Sequence, residues 1–145
     1  MRDLWFAFRN GRRLKEITKR GLVSLAFRER LMLAVSAVNG CRYCSYFHAR
    51  QALRSGVAPE EISRLVSGEL GACPEEEAVA VVYAQHWAES DAHPDVDAVR
   101  RLEHAYGVEK AEAIGLILRM IRLGNLMGNT WDYLAYRISF GTCGR

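Results

Sequence analysis

The chain has 145 residues, the usual size of one domain, and we predict a single domain over residues 1–145. Half of the residues are hydrophobic, 26% are charged and three are proline, which excludes disordered and low-complexity proteins. The longest nearly uncharged apolar run, residues 31–38, is too short to cross a bilayer, and residues 1–5 do not resemble a secretory signal. We therefore predict a cytoplasmic protein without a membrane partner.

Positive charge is concentrated at the start of the chain. Residues 1–20 contain seven Lys or Arg residues against two acids, whereas the whole chain has a net charge of +3. We interpret residues 1–22 as a basic N-terminal arm that packs its aromatic side chains on the protein or on a neighbouring subunit while its charges stay in water. The alternative is an arm that binds anionic lipid or nucleic acid. No nucleic-acid motif accompanies the charge, so no such partner is predicted.

Gly, Pro and Asx residues divide the remaining chain into segments of helical length, without the alternating pattern of strands. An almost entirely apolar segment, residues 27–38, predicts a buried helix that ends at Asn39-Gly40. Further helices are predicted at 41–56, from 59, at 74–90, at 94–107, at 109–126 and at 130–138. The expected fold is an all-α, single-domain bundle of about six to seven helices, with a Cys-x-x-Cys motif at the start of a core helix.

Residues 29–48 contain the side chains that indicate chemistry. Cys41, Cys44 and His48 are separated by three and then four residues, so on a helix they project from one face. Free amide protons and the positive end of the helix dipole favour a thiolate at the helix start, which predicts that at least one sulfur is nucleophilic near neutral pH. Two thiols one turn apart also suit a reversible disulfide, because a sulfenic acid on one condenses with the other.

The position of Glu29 follows from an antiparallel helix hairpin with its tip at residues 39–40. At a rise of 1.5 Å per residue, Glu29 lies about 5 Å along the axis from His48 but about 15 Å from Cys41. Glu29 is therefore predicted to orient His48 and not the cysteines. A carboxylate that holds an imidazole facing a thiol is the arrangement of activated-nucleophile catalysis, with Glu29, His48 and Cys44 as the relay.

Two other readings of these residues remain open. Zinc also binds Cys, His and Glu, but its ligand atoms must lie within about 2.0–2.3 Å of one point, and Glu29 would have to reach too far. We therefore predict no metal and no other cofactor. Each side chain could instead be structural, as a buried cysteine, a core histidine or a helix-stabilising acid. We interpret Cys73 and Cys143 as incidental, and residues 124–133 as a close helix contact, with substrate access or a subunit interface as the alternatives.

The pattern formed by Glu29, Cys41, Cys44 and His48 resembles the alkylhydroperoxidase D-like branch of the carboxymuconolactone decarboxylase superfamily. The resemblance is clearest over residues 27–65. It implies an all-helical fold, homo-oligomers of trimeric or hexameric kind, and reduction of a hydroperoxide substrate with electrons from a thiol or dithiol donor that the sequence does not identify. By this resemblance Cys44 is the peroxidatic cysteine and Cys41 the resolving one.

Two features qualify this resemblance. The helix dipole favours Cys41 as the more acidic thiol, whereas the relay through His48 favours Cys44, which we follow. Characterised members carry a histidine just before the second cysteine, where this chain has Tyr43, which is not a base near neutral pH and predicts weaker peroxidase activity.

The sequence thus predicts a thiol-dependent peroxidase or disulfide oxidoreductase that needs no bound cofactor. One alternative is a non-enzymatic helical oligomer or adaptor that uses the cysteines for metal binding or redox sensing. The other is a decarboxylase-type lyase. The cysteine pair argues against the lyase, since the decarboxylases that the chain resembles do not rely on one.

Overall fold

The computed structural model describes residues 9–10, 12–13, 16–17, 19–69 and 73–142. Its helices are α1 (Leu25–Val38), α2 (Arg42–Arg54), α3 (Pro59–Val66), α4 (Glu75–Glu89) and α5 (Val96–Ile138). Helix α5 is interrupted at Gly107, whose backbone has φ 75° and ψ 160°. These residues contain no strand. The predicted all-α class is therefore confirmed.

Helix α1 is the centre of the fold. Its start is capped by Ser24, whose Oγ accepts the Phe27 N–H at 3.1 Å. Leu31 and Leu33 are completely buried, and α1 contacts each of the other four helices. The helix ends at Asn39, and Gly40 then adopts a left-handed φ of 62°. The predicted buried helix and its terminating turn are both confirmed.

Proline and acidic residues begin the later helices as the sequence indicated. Pro59 occupies the first turn of α3, and three consecutive acids, residues 75–77, begin α4 after Pro74. Asp95 caps α5, and its Oδ1 accepts the Ala98 N–H at 2.7 Å. The predicted helix starts are therefore correct to within two residues, and the predicted stop at Gly107 coincides with the break in α5.

The prediction of a separate last helix at 130–138 is wrong. The helix that follows Gly107 runs without a break through Gly128 and Asn129 to Ile138. Thr130 Oγ1 donates to the Leu126 carbonyl at 2.6 Å, a contact within continuous helix. A helical glycine lowers stability relative to alanine but does not end a helix when tertiary packing supports it. The last part of α5, residues 124–138, is therefore one continuous helical segment.

The described part of the N-terminal arm is helical at residues 9–10, 12–13, 16–17 and 19 and packs on α5. Arg13 pairs with Glu112, Arg20 pairs with Glu109, and Ile17 is buried. The aromatic residues of the predicted arm, at positions 5, 6 and 8, lie outside the described residues, as does Cys143. Among the helices described, none combines the length and apolar character needed to cross a bilayer.

Candidate active site

The α1–α2 hairpin places Glu29 against His48. Glu29 Oε2 lies 2.7 Å from His48 Nδ1, which is the contact predicted from the hairpin geometry. Arg28 binds the other carboxylate oxygen, Oε1, through Nε at 3.0 Å and Nη2 at 2.8 Å. Glu29 is only 1% exposed, so its charge is satisfied by these two neighbours. The carboxylate is thus held rigidly, with one oxygen available to orient the imidazole.

The ionisation of Glu29 determines which nitrogen of His48 is free. Burial raises the pKa of Glu29, but the hydrogen bonds from His48 and Arg28 outweigh burial and lower the pKa below its usual value. An ionised carboxylate is only an acceptor, so Nδ1 of His48 carries the proton of the shared hydrogen bond. In the neutral imidazole the other nitrogen, Nε2, is then an acceptor and is able to take up a proton.

Cys41 and Cys44 lie at the start of α2, as predicted. Cys41 is the capping residue, and its Sγ accepts the Cys44 N–H at 3.4 Å. The two cysteines are free thiols and are 1% and 7% exposed. The pair is therefore covered by the rest of the fold, and reagents of small size have the best access to it.

The environment of Cys44 opposes ionisation. Burial and the neighbouring Cys41 raise the pKa of Cys44 to about 11. The expectation of a sulfur that is nucleophilic near neutral pH is therefore not met at Cys44 itself. At pH 7 a thiol with this pKa is ionised to only about one part in 10⁴. Reaction at Cys44 thus requires a group that removes the proton as the sulfur attacks.

His48 follows Cys44 by one helical turn on α2, and the two side chains share a face of the helix. Within the described part of the chain no hydrogen bond joins His48 to either sulfur. The Phe47 ring packs edge-on against the imidazole, with centroids 5.1 Å apart. The contact between Glu29 and His48 is therefore present, whereas proton transfer between His48 and Cys44 stays a prediction.

The sequence analysis missed three residues that belong to this site. Arg28 is one, because it binds Oε1 of Glu29. Asn125 is 1% exposed and lies on α5 beside Cys44, where its side-chain hydrogen bond lowers the pKa of that thiol against the larger effect of burial. Asn125 follows Ile117 and Ile121 at the same spacing of four residues, and a polar residue in line with these two apolar ones was the available signal.

Gly128 is the third missed residue, although it lies in the segment assigned to a close helix contact. A Cβ atom at Gly128 would fall 2.8 Å from Cys41 Sγ and 3.3 Å from Cys44 Sγ. The close contact is thus confirmed, and the surface that α5 approaches is the pair of sulfurs.

Two surface cavities flank the start of α2. One has a volume of about 310 Å³ and is lined in part by Gly40, Asn129 and Tyr133. The other, of about 410 Å³, is lined in part by Ser36 and Tyr46. Neither cysteine lines either cavity, but Gly40 and Asn129, which line the smaller one, are the chain neighbours of Cys41 and Gly128.

The described residues contain no group of three His, Cys, Asp or Glu side chains that is arranged to hold a metal ion. Both carboxylate oxygens of Glu29 are engaged in hydrogen bonds, one with His48 and one with Arg28, so Glu29 is not placed to bind a metal ion together with the two sulfurs.

Comparison with known proteins gave one match. The family model described as carboxymuconolactone decarboxylase family matches residues 3–85, more than half of the chain. The matched region includes the α1–α2 hairpin with Glu29, Cys41, Cys44 and His48. No curated protein and no solved structure matched.

Proposed function

Since the chain belongs to the carboxymuconolactone decarboxylase family, we propose that it is a thiol-dependent peroxidase of the alkylhydroperoxidase D-like kind, with Cys41 and Cys44 as its redox-active pair. The observation that carries this proposal is the Glu29–His48 hydrogen bond of 2.7 Å, which lies one helical turn from the free thiol of Cys44 and two turns from that of Cys41. A carboxylate that fixes a histidine beside a thiol is the usual means of activating a weak nucleophile.

The reaction uses two electrons from the dithiol. The Cys44 sulfur attacks the terminal oxygen of the hydroperoxide, the O–O bond breaks, and an alcohol leaves as Cys44 becomes a sulfenic acid. The Cys41 sulfur then attacks the Cys44 sulfur, which forms the disulfide and releases water. One hydroperoxide and two thiols thus become one alcohol, one water and one disulfide. A thiol or dithiol donor restores the pair by exchange.

His48 moves the protons in this scheme. Its Nε2 accepts the proton of Cys44 as the sulfur attacks, and the same proton then passes to the leaving alkoxide. Glu29 stabilises the imidazolium that forms in between, and Arg28 keeps the carboxylate ionised. This assistance is needed because burial and Cys41 raise the pKa of Cys44 to about 11.

The site favours a small hydroperoxide as the substrate. Both cysteines are nearly buried, and the cavity of about 310 Å³ beside the start of α2 is sized for a small molecule. The reaction requires no bound cofactor, and a cytoplasmic location, with its pool of reducing thiols, would supply the donor.

The proposal is tested by adding one equivalent of hydrogen peroxide to the reduced protein and mapping disulfides by mass spectrometry over time. We expect a Cys41–Cys44 disulfide to form much faster than any oxidation of Cys73. A Cys73→Ser variant is the control, because the bridge should form in it at the same rate. If Cys41 and Cys44 oxidise no faster than Cys73, the peroxidase proposal is wrong.

We also propose that the chain forms a trimer or hexamer. Four large apolar side chains at spacings of four, three and four residues lie exposed along the last turns of α5: Met127, Trp131, Leu134 and Ile138. A stripe with this spacing is typical of a helix that packs against another helix, and exposed apolar stripes of this length mark interfaces.

Replacement of Trp131 by glutamate is expected to give a smaller particle in light scattering after size-exclusion chromatography, because a charge in an apolar interface is costly. Val96→Glu changes another exposed apolar residue of α5, far from the stripe, and should leave the mass unchanged. A wild-type monomer at micromolar concentration would contradict the oligomer.

A further inference from the structure

One turn of α5, residues 125–128, lies directly against the dithiol. Gly128 is helical, so its backbone does not require glycine. Its missing Cβ would fall 2.8 Å from Cys41 Sγ and 3.3 Å from Cys44 Sγ, both closer than carbon and sulfur atoms pack. Gly115 and Gly124 lie in the same helix, and a Cβ atom added at either position would have no neighbouring atom within 4 Å. Gly128 therefore differs from these two glycines in that the two sulfurs occupy the space beside it.

Asn125 lies three residues before Gly128, on the same face of α5. Its Oδ1 accepts the Asn39 Nδ2–H at 2.9 Å, and its Nδ2 donates to Ser36 Oγ at 3.0 Å. The amide is thereby held from two sides by residues of α1 and of the α1–α2 turn. The same side chain lies near the Cys44 thiol and acts as a hydrogen-bonding neighbour that lowers its pKa, against the larger effect of burial. An amide N–H₂ group has two protons, so Nδ2 is able to serve Ser36 and Cys44 together.

These two residues have complementary effects on the sulfurs. A donor held in place ahead of reaction stabilises negative charge without the cost of reorganisation. A position without a side chain leaves the space in which the Cys41 and Cys44 sulfurs come together. Both effects come from one turn of α5, which is distant in the sequence from the cysteines.

We propose that the Asn125–Gly128 turn is a platform for the dithiol, on which the Asn125 amide binds the Cys44 thiolate and Gly128 provides the room for the disulfide to form. This inference rests on the proposed function, because it describes how the same pair of thiols is tuned. It assigns Asn125 as a residue that contacts a reacting atom and Gly128 as a positioning residue.

The Asn125 part is tested by the reactivity of Cys44 toward iodoacetamide between pH 7 and 11. All proteins in this test have Cys41, Cys73 and Cys143 replaced by serine, so that Cys44 is the single thiol that reacts. Asn125→Asp keeps the oxygen that accepts from Asn39, loses the donor and adds a negative charge. We expect alkylation at pH 8 to slow roughly 10- to 100-fold, because a hydrogen bond to a charged group is lost. Asn125→Leu, which loses the donor without adding charge, should slow it in the same direction.

The Gly128 part is tested by disulfide formation with oxidised dithiothreitol in chains that keep Cys41 and Cys44. Gly128→Ala should slow formation of the Cys41–Cys44 bridge at least about tenfold, since its Cβ occupies the space between α5 and the sulfurs. Gly124→Ala is the matched control. It makes the same change one turn earlier and should react as the wild type does, with a slightly higher melting temperature.

These measurements use no hydroperoxide, so they separate this inference from the proposed function. Slower alkylation and slower bridging in the variants would support the platform even if the protein reduced no hydroperoxide. Alkylation of Asn125→Asp at the wild-type rate across the pH range, or bridging in Gly128→Ala at the rate of Gly124→Ala, would overturn it even if the protein were an active peroxidase. Circular dichroism confirms in each case that the variant is folded.

Discussion

Replacement of Cys44 by serine is expected to reduce hydroperoxide turnover at least about 10³-fold, because the hydroxyl is not a nucleophile at neutral pH. Cys41→Ser should slow turnover for a different reason, because it lacks the thiol that forms the disulfide with Cys44. In the absence of dithiothreitol its Cys44 reacts once and remains a sulfenic acid, which a dimedone probe traps and mass spectrometry locates. The measurement is consumption of hydrogen peroxide with dithiothreitol as the donor, and Cys73→Ser is the variant that should retain full activity.

The opposite outcomes each indicate a particular alternative. A sulfenic acid on Cys41 in the Cys44→Ser variant would reverse the two roles. An activity on a lactone or acid substrate that survives Cys44→Ser would favour a decarboxylase-type lyase. Absence of turnover with any dithiol, together with stoichiometric metal in the purified protein, would favour the adaptor.

The pH dependence of the same reaction tests the relay. Burial and Cys41 raise the pKa of Cys44 to about 11. As long as the pH is below this pKa, the thiolate fraction increases about tenfold for each unit by which the pH rises. If His48 removes the proton, the rate in the wild type should rise less steeply than this around neutral pH. His48→Gln keeps the approximate size of the side chain but supplies no base. We expect it to slow the reaction about 10²- to 10⁴-fold at pH 7 and to restore the steep dependence. Equal slopes in the two proteins would exclude His48 as the base.

The largest expected effect on stability comes from Arg30, which joins α1 to α3 and α4. Its guanidinium pairs with both carboxylate oxygens of Glu61 and, through Nη1 at 3.1 Å, with Glu77. All three side chains are 10–14% exposed. Arg30→Met is expected to lower the free energy of unfolding by about 3–5 kcal/mol, because two buried carboxylates are left facing each other without a cation. The corresponding fall in melting temperature is roughly 10–16 °C.

The same substitution should have a distinctive pH dependence. Burial raises the pKa of Glu77 even with Arg30 present, and removal of the cation raises it further. A carboxyl group with a raised pKa in the folded state stabilises the protein in acid, and this contribution is lost as the pH rises through that pKa. The destabilisation by Arg30→Met is therefore greatest near pH 7 and diminishes toward the usual carboxyl pKa of about 4.3.

Urea denaturation of wild type and variant across this pH range measures the effect. Arg100→Met is the matched control, because Arg100 pairs with Asp97 at 3.7 Å on the surface, where both side chains are mostly exposed. It should change the free energy of unfolding by less than about 1 kcal/mol. If Arg30→Met costs no more than Arg100→Met, the buried cluster does not stabilise the fold as we infer.

The sequence by itself determined those features that depend on residues close to one another in the chain. Helix starts and stops at Pro59, Pro74 and Gly107 could be predicted because caps, fixed φ angles and left-handed residues act within one turn. The Glu29–His48 contact could also be predicted, since a short turn at Asn39-Gly40 fixes the register of the two helices that it joins. The catalytic roles of these residues remain predictions, because a spacing identifies which side chains meet and not which reaction follows.

Only the tertiary structure decided what α5 contributes. The sequence predicted a break at Gly128-Asn129, but α5 continues through both residues, and Gly128 lies against the two sulfurs. Asn125 and Arg30 have partners, Ser36 and Glu61, that are 89 and 31 residues distant in the chain. Burial of the Cys44 thiol, which raises its pKa, likewise depends on residues brought together from several helices. The spacing of residues in the sequence does not identify the partners in such contacts, because the contacts form only when the helices pack.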